Sequence, residues 1–153
     1  IVSGLMISGL LITTAIAAVI LVVSMLITGI PLSRGVVQIV PLFIVVVLTT
    51  LCLLGLMFVI LGRAAHPRIV GVLSGFLNVI LFFPSGAVYP IASFPGWLKT
   101  FAKINPEAYA VHALKSLLFK NASMASISGD ILFLAFFTVV TMTLSILTFK
   151  RTL

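Results

Sequence analysis

FFPSGAVYPIASFPGWLKTFAKINPEAYAVHALK, residues 82–115, interrupts a chain that is otherwise built to sit in lipid. It places four prolines (Pro84, Pro90, Pro95, Pro106), two glycines and two short amphipathic stretches where a simple membrane hairpin has a brief loop. The apolar runs on either side of it set the fold, and the interruption itself carries the functional reading.

Outside this stretch the composition leaves one class open. The chain is 62% hydrophobic and 7% charged, with a mean hydropathy of +1.42, whereas a soluble domain is about a quarter charged. The bilayer is therefore its solvent. Charge-free gaps at 1–33, 35–62, 69–98 and 131–149 meet or approach the roughly 20 residues a helix needs to cross the hydrocarbon core. Backbone groups in lipid must bond within their own segment or in a closed barrel, and long unbroken apolar runs select helices. The expected fold is an all-α integral membrane domain over 1–153. Four transmembrane helices are expected at about 5–28, 37–61, 69–89 and 129–149, with two short re-entrant or interfacial helices between the last two spans, at about 84–120. An even number of spans puts both termini on one side.

The first run lacks a basic n-region and exceeds a signal peptide's h-region, so it reads as a retained span. A chain opening on Ile inside an apolar run is read as a fragment or a processed product. Cys52 lies mid-span and reads as a buried thiol. The nine basic residues are scattered singly between spans, which fits membrane lipids with anionic headgroups rather than nucleic acid.

Punctuation between the runs is clear. Gly29, Pro31, Ser33 and Arg34 end the first span, and Pro41 sits near the start of the second, where a missing N–H costs little. Arg63, His66 and Arg68 form a compact basic loop, with Pro67 placed to begin the third helix. Within that helix Gly71 and Gly75 have GxxxG spacing beside Ser74, a face that admits another helix. Asn78, its single amide, either bonds a neighbouring helix or faces a polar pathway. Further on, Trp97, Leu98, Phe101 and Ile104 share one helical face and Lys99, Thr100 and Lys103 the other. Asn105 is placed to cap a new helix, with Pro106 at its first position and Glu107 near the positive end of its dipole. In that helix Ala110, Val111, Leu114, Leu117 and Leu118 form an apolar arc opposite Tyr109, His112, Ser116 and Lys120. The sequon at Asn121 is a three-residue pattern and carries no weight.

Charge bias does not orient the chain. Arg63, Arg68, Lys150 and Arg151 fall on one side, against Arg34, Lys99, Lys103, Lys115 and Lys120 on the other, so the positive-inside rule is nearly tied. Apart from Asp130 at the margin of the fourth, no expected span contains Asp, Glu, Lys, Arg or His, which argues against a self-sufficient proton- or ion-coupled transporter. A GxxxxGK[ST] loop, a GxGxxG motif, an HExxH pair and a Cys/His cluster with metal spacing are absent from the sequence. Glu107 and Asp130 are far apart in sequence, and His66 and His112 read as lone residues. Nothing suggests an enzyme, a metal or a cofactor held by this chain.

The 82–115 stretch resembles the signature segment of ABC-2 type transporter permeases. Ser85, Gly86, Pro90, Pro95, Gly96, Trp97, Leu98, Asn105, Pro106, Tyr109, Ala110, Val111, Ala113 and Leu114 occupy the family's places, and Lys115 stands where Arg is usual. The resemblance implies the last four spans of a six-span domain, lacking the first two spans and the main coupling helix between the second and third. It implies a re-entrant external gate formed by 84–120, including Tyr89, and a cytoplasmic, ATPase-facing loop at Arg63, His66 and Arg68. It implies a permease subunit in the plasma (inner) membrane with cytoplasmic termini. Such a subunit pairs with a second permease copy and exports cargo with energy from an ATP-binding subunit, which holds the ATP and Mg. Asn78, Phe82 and Phe83 would border the pathway, where aromatic rings can form a hydrophobic constriction. Phe82 and Phe83 facing lipid is the plainer reading of those rings. From another class, a membrane scaffold or assembly factor using the amphipathic pair to bind a partner or lipid is the alternative.

Overall fold

The computed structural model describes residues 2–28, 36–61, 67–120 and 122–150. Its helices are α1 (Val2–Thr28), α2 (Val36–Leu61), α3 (Pro67–Phe82), α4 (Gly96–Ile104), α5 (Pro106–Phe119) and α6 (Ser128–Lys150), with 3₁₀ turns at Phe83–Ser85, Ile91–Ser93 and Met124–Ile127. No strand occurs among the described residues. Three stretches, Ile39–Ile60, Arg68–Ser85 and Met124–Leu147, are long and apolar enough to cross a membrane, and Ile7–Ile20 is a shorter apolar stretch inside α1. As a helix of 27 residues α1 also has the length to cross, about 40 Å at 1.5 Å per residue. The chain is a multi-pass, all-helical membrane protein.

The interior is organised on α2. Against it runs α6, with residues rising together along both helices. Thr138 Oγ1 lies 3.2 Å from Leu48 O, Thr141 Oγ1 lies 3.5 Å from Cys52 O, and Gly55 meets Thr141 and Met142. The two helices are therefore parallel, crossing in the same direction. Their shared face is made of Leu134, Thr138, Thr141 and Ser145 on α6, all buried, with Cys52 buried on α2. These α6 positions recur every three or four residues, so they form one stripe. Small and hydroxylated residues let two backbones approach where lipid offers no hydrophobic drive. A Cβ on Gly55 would fall 2.7 Å from Thr141 Oγ1, so glycine is required by the close approach. Antiparallel to α2, α1 packs with Gly9 against Leu54.

Against the N-terminal part of this pair α5 is wedged. Leu42 and Val45 of α2, Ala110, Ala113 and Leu117 of α5, and Ile127 and Leu134 beyond it form one buried cluster. A helix covered from two sides needs apolar or small residues on more than one arc. Ser116, expected on the polar side, is accordingly buried, and Tyr109 packs against the cluster.

Three other expectations shift. The third helix ends at Phe82 rather than near residue 89, because Pro84 cannot continue the i→i−4 ladder and Gly86 takes a left-handed conformation at φ 82°. Pro41 lies inside α2, past the first turn, so its missing N–H removes one helical hydrogen bond. On α4 the apolar arc is divided: Ala102 is buried and Leu98 and Phe101 half-buried, while Trp97 and Ile104 remain exposed. The turn at 29–35, Arg63, His66, Asn121 and Arg151 lie outside the described residues.

Candidate functional site

The connection between α3 and α6 is folded tightly onto the C-terminal end of α3. At its centre is Asn105, 2% exposed. Its Oδ1 accepts from Glu107 N at 3.0 Å, satisfying one of the orphan donors of α5. Its Nδ2 donates to Leu81 O at 2.6 Å, 24 residues back along the chain. The capping role expected of Asn105 is present, and the bond to α3 adds a second role that spacing alone does not reveal. Pro106 is buried at the first position of α5.

A second tie holds the sharp turn after α3. Ser85, also buried, donates to Phe82 O at 2.5 Å and accepts from Ala87 N at 3.3 Å. Gly86 follows in the left-handed region, and a Cβ there would lie 2.9 Å from Ile91 Cγ1. The freed carbonyls of Gly86 and Ala87 accept from Lys115 Nζ at 2.7 and 3.3 Å. A basic residue late in α5 thus closes a turn some 29 residues earlier. The only sequence signal for this role was that Lys115 fills a place where the resembled family carries Arg.

Tyr109 joins three elements. Its hydroxyl donates to Lys103 O at 2.7 Å, closing the α4–α5 corner, and its ring stacks on Phe133 of α6 with centroids 3.8 Å apart. His112 Nδ1 meets Asp130 Oδ2 at 2.8 Å, so these two residues, isolated in sequence, form an ion pair when the imidazole is protonated. Asp130 sits in the first turn of α6, where the helix dipole favours a carboxylate. A cavity of about 480 Å³ opens here, lined by Ile91, Lys99, Lys103, Tyr109, His112 and Asp130 among others.

On the other side of α5 lies a cavity of about 400 Å³ shared by α1, α2, α3 and α5. Asn78 of α3 lines it with Thr13, Thr49, Thr50 and Glu107. Thr49 and Thr50 fall near the middle of α2, so the start of α5, at Glu107, reaches the level of the middle of α2. Half-burial raises the Glu107 carboxyl above its usual range through desolvation. Sequence reading placed Glu107 only at a helix terminus, outside every expected span; the fold turns this acid towards the interior.

The remaining expected site residues are dispersed. Phe82 and Phe83 form an edge-to-face pair with centroids 6.3 Å apart, and both are exposed, as are Tyr89, Pro90, Pro95, Gly96 and Trp97. Nothing lies within 4 Å of a Cβ built on Gly96, nor on Gly71 or Gly75. The GxxxG face therefore meets no helix of this chain among the described residues, and packing gives no reason for glycine at position 96. Arg68 is exposed at the start of α3.

The family model for the ABC-2 type transporter matches residues 1–119. No curated protein and no solved structure matches the chain.

Proposed function

Given that the chain belongs to the ABC-2 type transporter family, we propose that it is the permease of an exporter that pairs with a second permease copy and draws its energy from a separate ATP-binding subunit. The observation that carries this reading is the contrast around α3. Its C-terminal end is stapled to the α4–α5 pair through Asn105 and Leu81, while Val72, Phe76 and Val79 along its length stay uncovered. Apolar contact area of this kind on a helix that crosses the membrane is suited to a second permease and to a pathway wall that moves.

Orientation follows in the same reading. With α2 and α6 parallel, their ends and the start of α3, with Arg68, share one face of the membrane. Placing that face in the cytoplasm puts the α3–α6 connection outside, as a gate closed by Asn105, Lys115 and Tyr109, with Phe82 and Phe83 at the pathway's outer end. ATP and Mg belong to the partner subunit, and this chain hydrolyses nothing.

Co-expression of the full-length permease with its ATP-binding subunit tests the reading. Co-purification, and ATP hydrolysis that rises when the permease is present, is the expected result. A permease that never associates with an ATP-binding subunit, yet purifies with a non-transport membrane complex, supports the scaffold reading instead.

A further inference from the structure

The 400 Å³ cavity between α1, α2, α3 and α5 has a chemical polarity that its composition does not advertise. Thr13 donates its hydroxyl proton to Gly9 O at 2.8 Å, Thr49 to Val45 O at 2.7 Å, and Thr50 to Val46 O at 2.8 Å. With each proton spent on its own helix, these hydroxyls offer the cavity only lone pairs. Glu107 adds a carboxylate, an acceptor alone when ionised. Among the described residues its charge is not matched by an ion pair, since the pair present is His112 with Asp130. Asn78 contributes the one side-chain amide. The polar part of the cavity is therefore rich in acceptors and carries one negative charge, and the rest of its wall is aliphatic, with Leu53, Leu54, Met57 and Leu114.

We propose that this cavity receives the ammonium end of an amphiphilic organic cation, with Glu107 as counter-charge, Asn78 and the threonine hydroxyls as accessory acceptors, and the aliphatic wall against the apolar body. The proposal rests on the transport reading above and names the class of cargo that the permease handles. Calcium is a poor match, because it takes about six to eight oxygen ligands, usually several carboxylates among them, and this cavity has a single carboxylate. An anion is refused by Glu107, which stands at the positive end of α5 and occupies the position where the helix dipole would otherwise favour one. A buried carboxylate loses hydration, and a cation entering beside it restores a partner for that charge.

The test compares two probes of matched shape, 4-phenylbutylamine, protonated at neutral pH, and 4-phenylbutanol. Their equilibrium binding is measured on the full-length permease in lipid nanodiscs, with empty nanodiscs subtracted. The wild type is expected to prefer the ammonium by roughly tenfold, the factor that 1.4 kcal/mol makes. Glu107→Gln, which keeps shape and removes charge, should erase that preference while leaving alcohol binding unchanged. Asn78→Asp, which adds a second carboxylate, should strengthen ammonium binding and serves as a gain-of-affinity control against misfolding. Equal binding of both probes to the wild type, or an undiminished preference in Glu107→Gln, overturns the cation site. Association with the ATP-binding subunit is scored separately on the same preparations. Loss of that association sinks the transport reading, whereas intact association without ammonium preference sinks the cation site alone.

Discussion

Two apolar helices of this chain, α2 and α3, meet their surroundings in opposite ways. α2 is enclosed by α1, α5 and α6, and its Gly55 is pressed against Thr141. By contrast α3 is tied down at its C-terminal end, and its Gly71 and Gly75 meet nothing among the described residues. The glycines with a recognised packing spacing are thus uncovered among the described residues, and Gly55, pressed into the seam, has no such motif around it. The difference separates a seam made within one chain from a face left uncovered among the described residues, where the proposed second permease would pack.

The largest effect should come from breaking the seam. Gly55→Leu must drive α2 from α6, since even a Cβ would come within 2.7 Å of Thr141 Oγ1 and 3.3 Å of Met142 N. A destabilisation of about 3 kcal/mol, at the upper end for overpacking, should appear as loss of folded protein in detergent melting curves. The same change at Gly71 or Gly75 should leave the monomer's melting unaltered and alter self-association instead.

Next in size is the anchor of α3. Asn105→Ala removes a cap and a buried bond, costing about 2 kcal/mol together. Asn105→Asp retains the cap and sets a carboxylate oxygen against Leu81 O in a buried site, so it breaks the tie to α3 and adds a repulsion. Export should suffer in both variants, and stability at least as much in the second.

Smaller still is the turn after α3. Lys115→Met leaves the Gly86 and Ala87 carbonyls without their donor, at about 1 kcal/mol, and should speed hydrogen exchange near residue 87. Lys115→Arg should restore protection, because the guanidinium keeps donors in reach.

The smallest changes probe single polar atoms. Ser145 Oγ is buried in the seam without a hydrogen-bond partner among the described residues, so Ser145→Ala should be neutral or stabilising by up to about 1 kcal/mol. For Glu107, burial raises the folded carboxyl's pKa, so the folded state holds the proton more tightly than the unfolded one. Stability therefore falls as pH rises from the ordinary carboxyl range through the raised pKa. A melting series across that window should show the fall in the wild type and a flatter profile in Glu107→Gln.

The helical membrane class was legible because charge-free runs of sufficient length have few other solutions in lipid. The two short helices of the connection were legible for local reasons: Asn105 followed by Pro106 is a cap signal whatever surrounds it, and Pro95 and Gly96 stop what precedes. Residues whose roles depend on a distant segment were not legible. Lys115 reaches a turn 29 residues away, Glu107 becomes interior because the start of α5 reaches the level of the middle of α2, and His112 finds Asp130 across 18 residues. Gly55 escaped notice because a helical sequence does not say which of its faces meets a neighbour. The polar arc expected for α5 failed at Ser116 because α2 and α6 cover the helix from two sides.

Cysteine labelling on the assembled transporter tests the contrast between seam and wall most directly. With Asn78→Cys on α3 and the native Cys52, fully buried in the seam, as internal control, a membrane-impermeant maleimide is applied with and without ATP. The account predicts that Cys52 stays unlabelled in both states, while labelling at position 78 changes with nucleotide. Labelling at position 78 that is absent or identical in both states would contradict it.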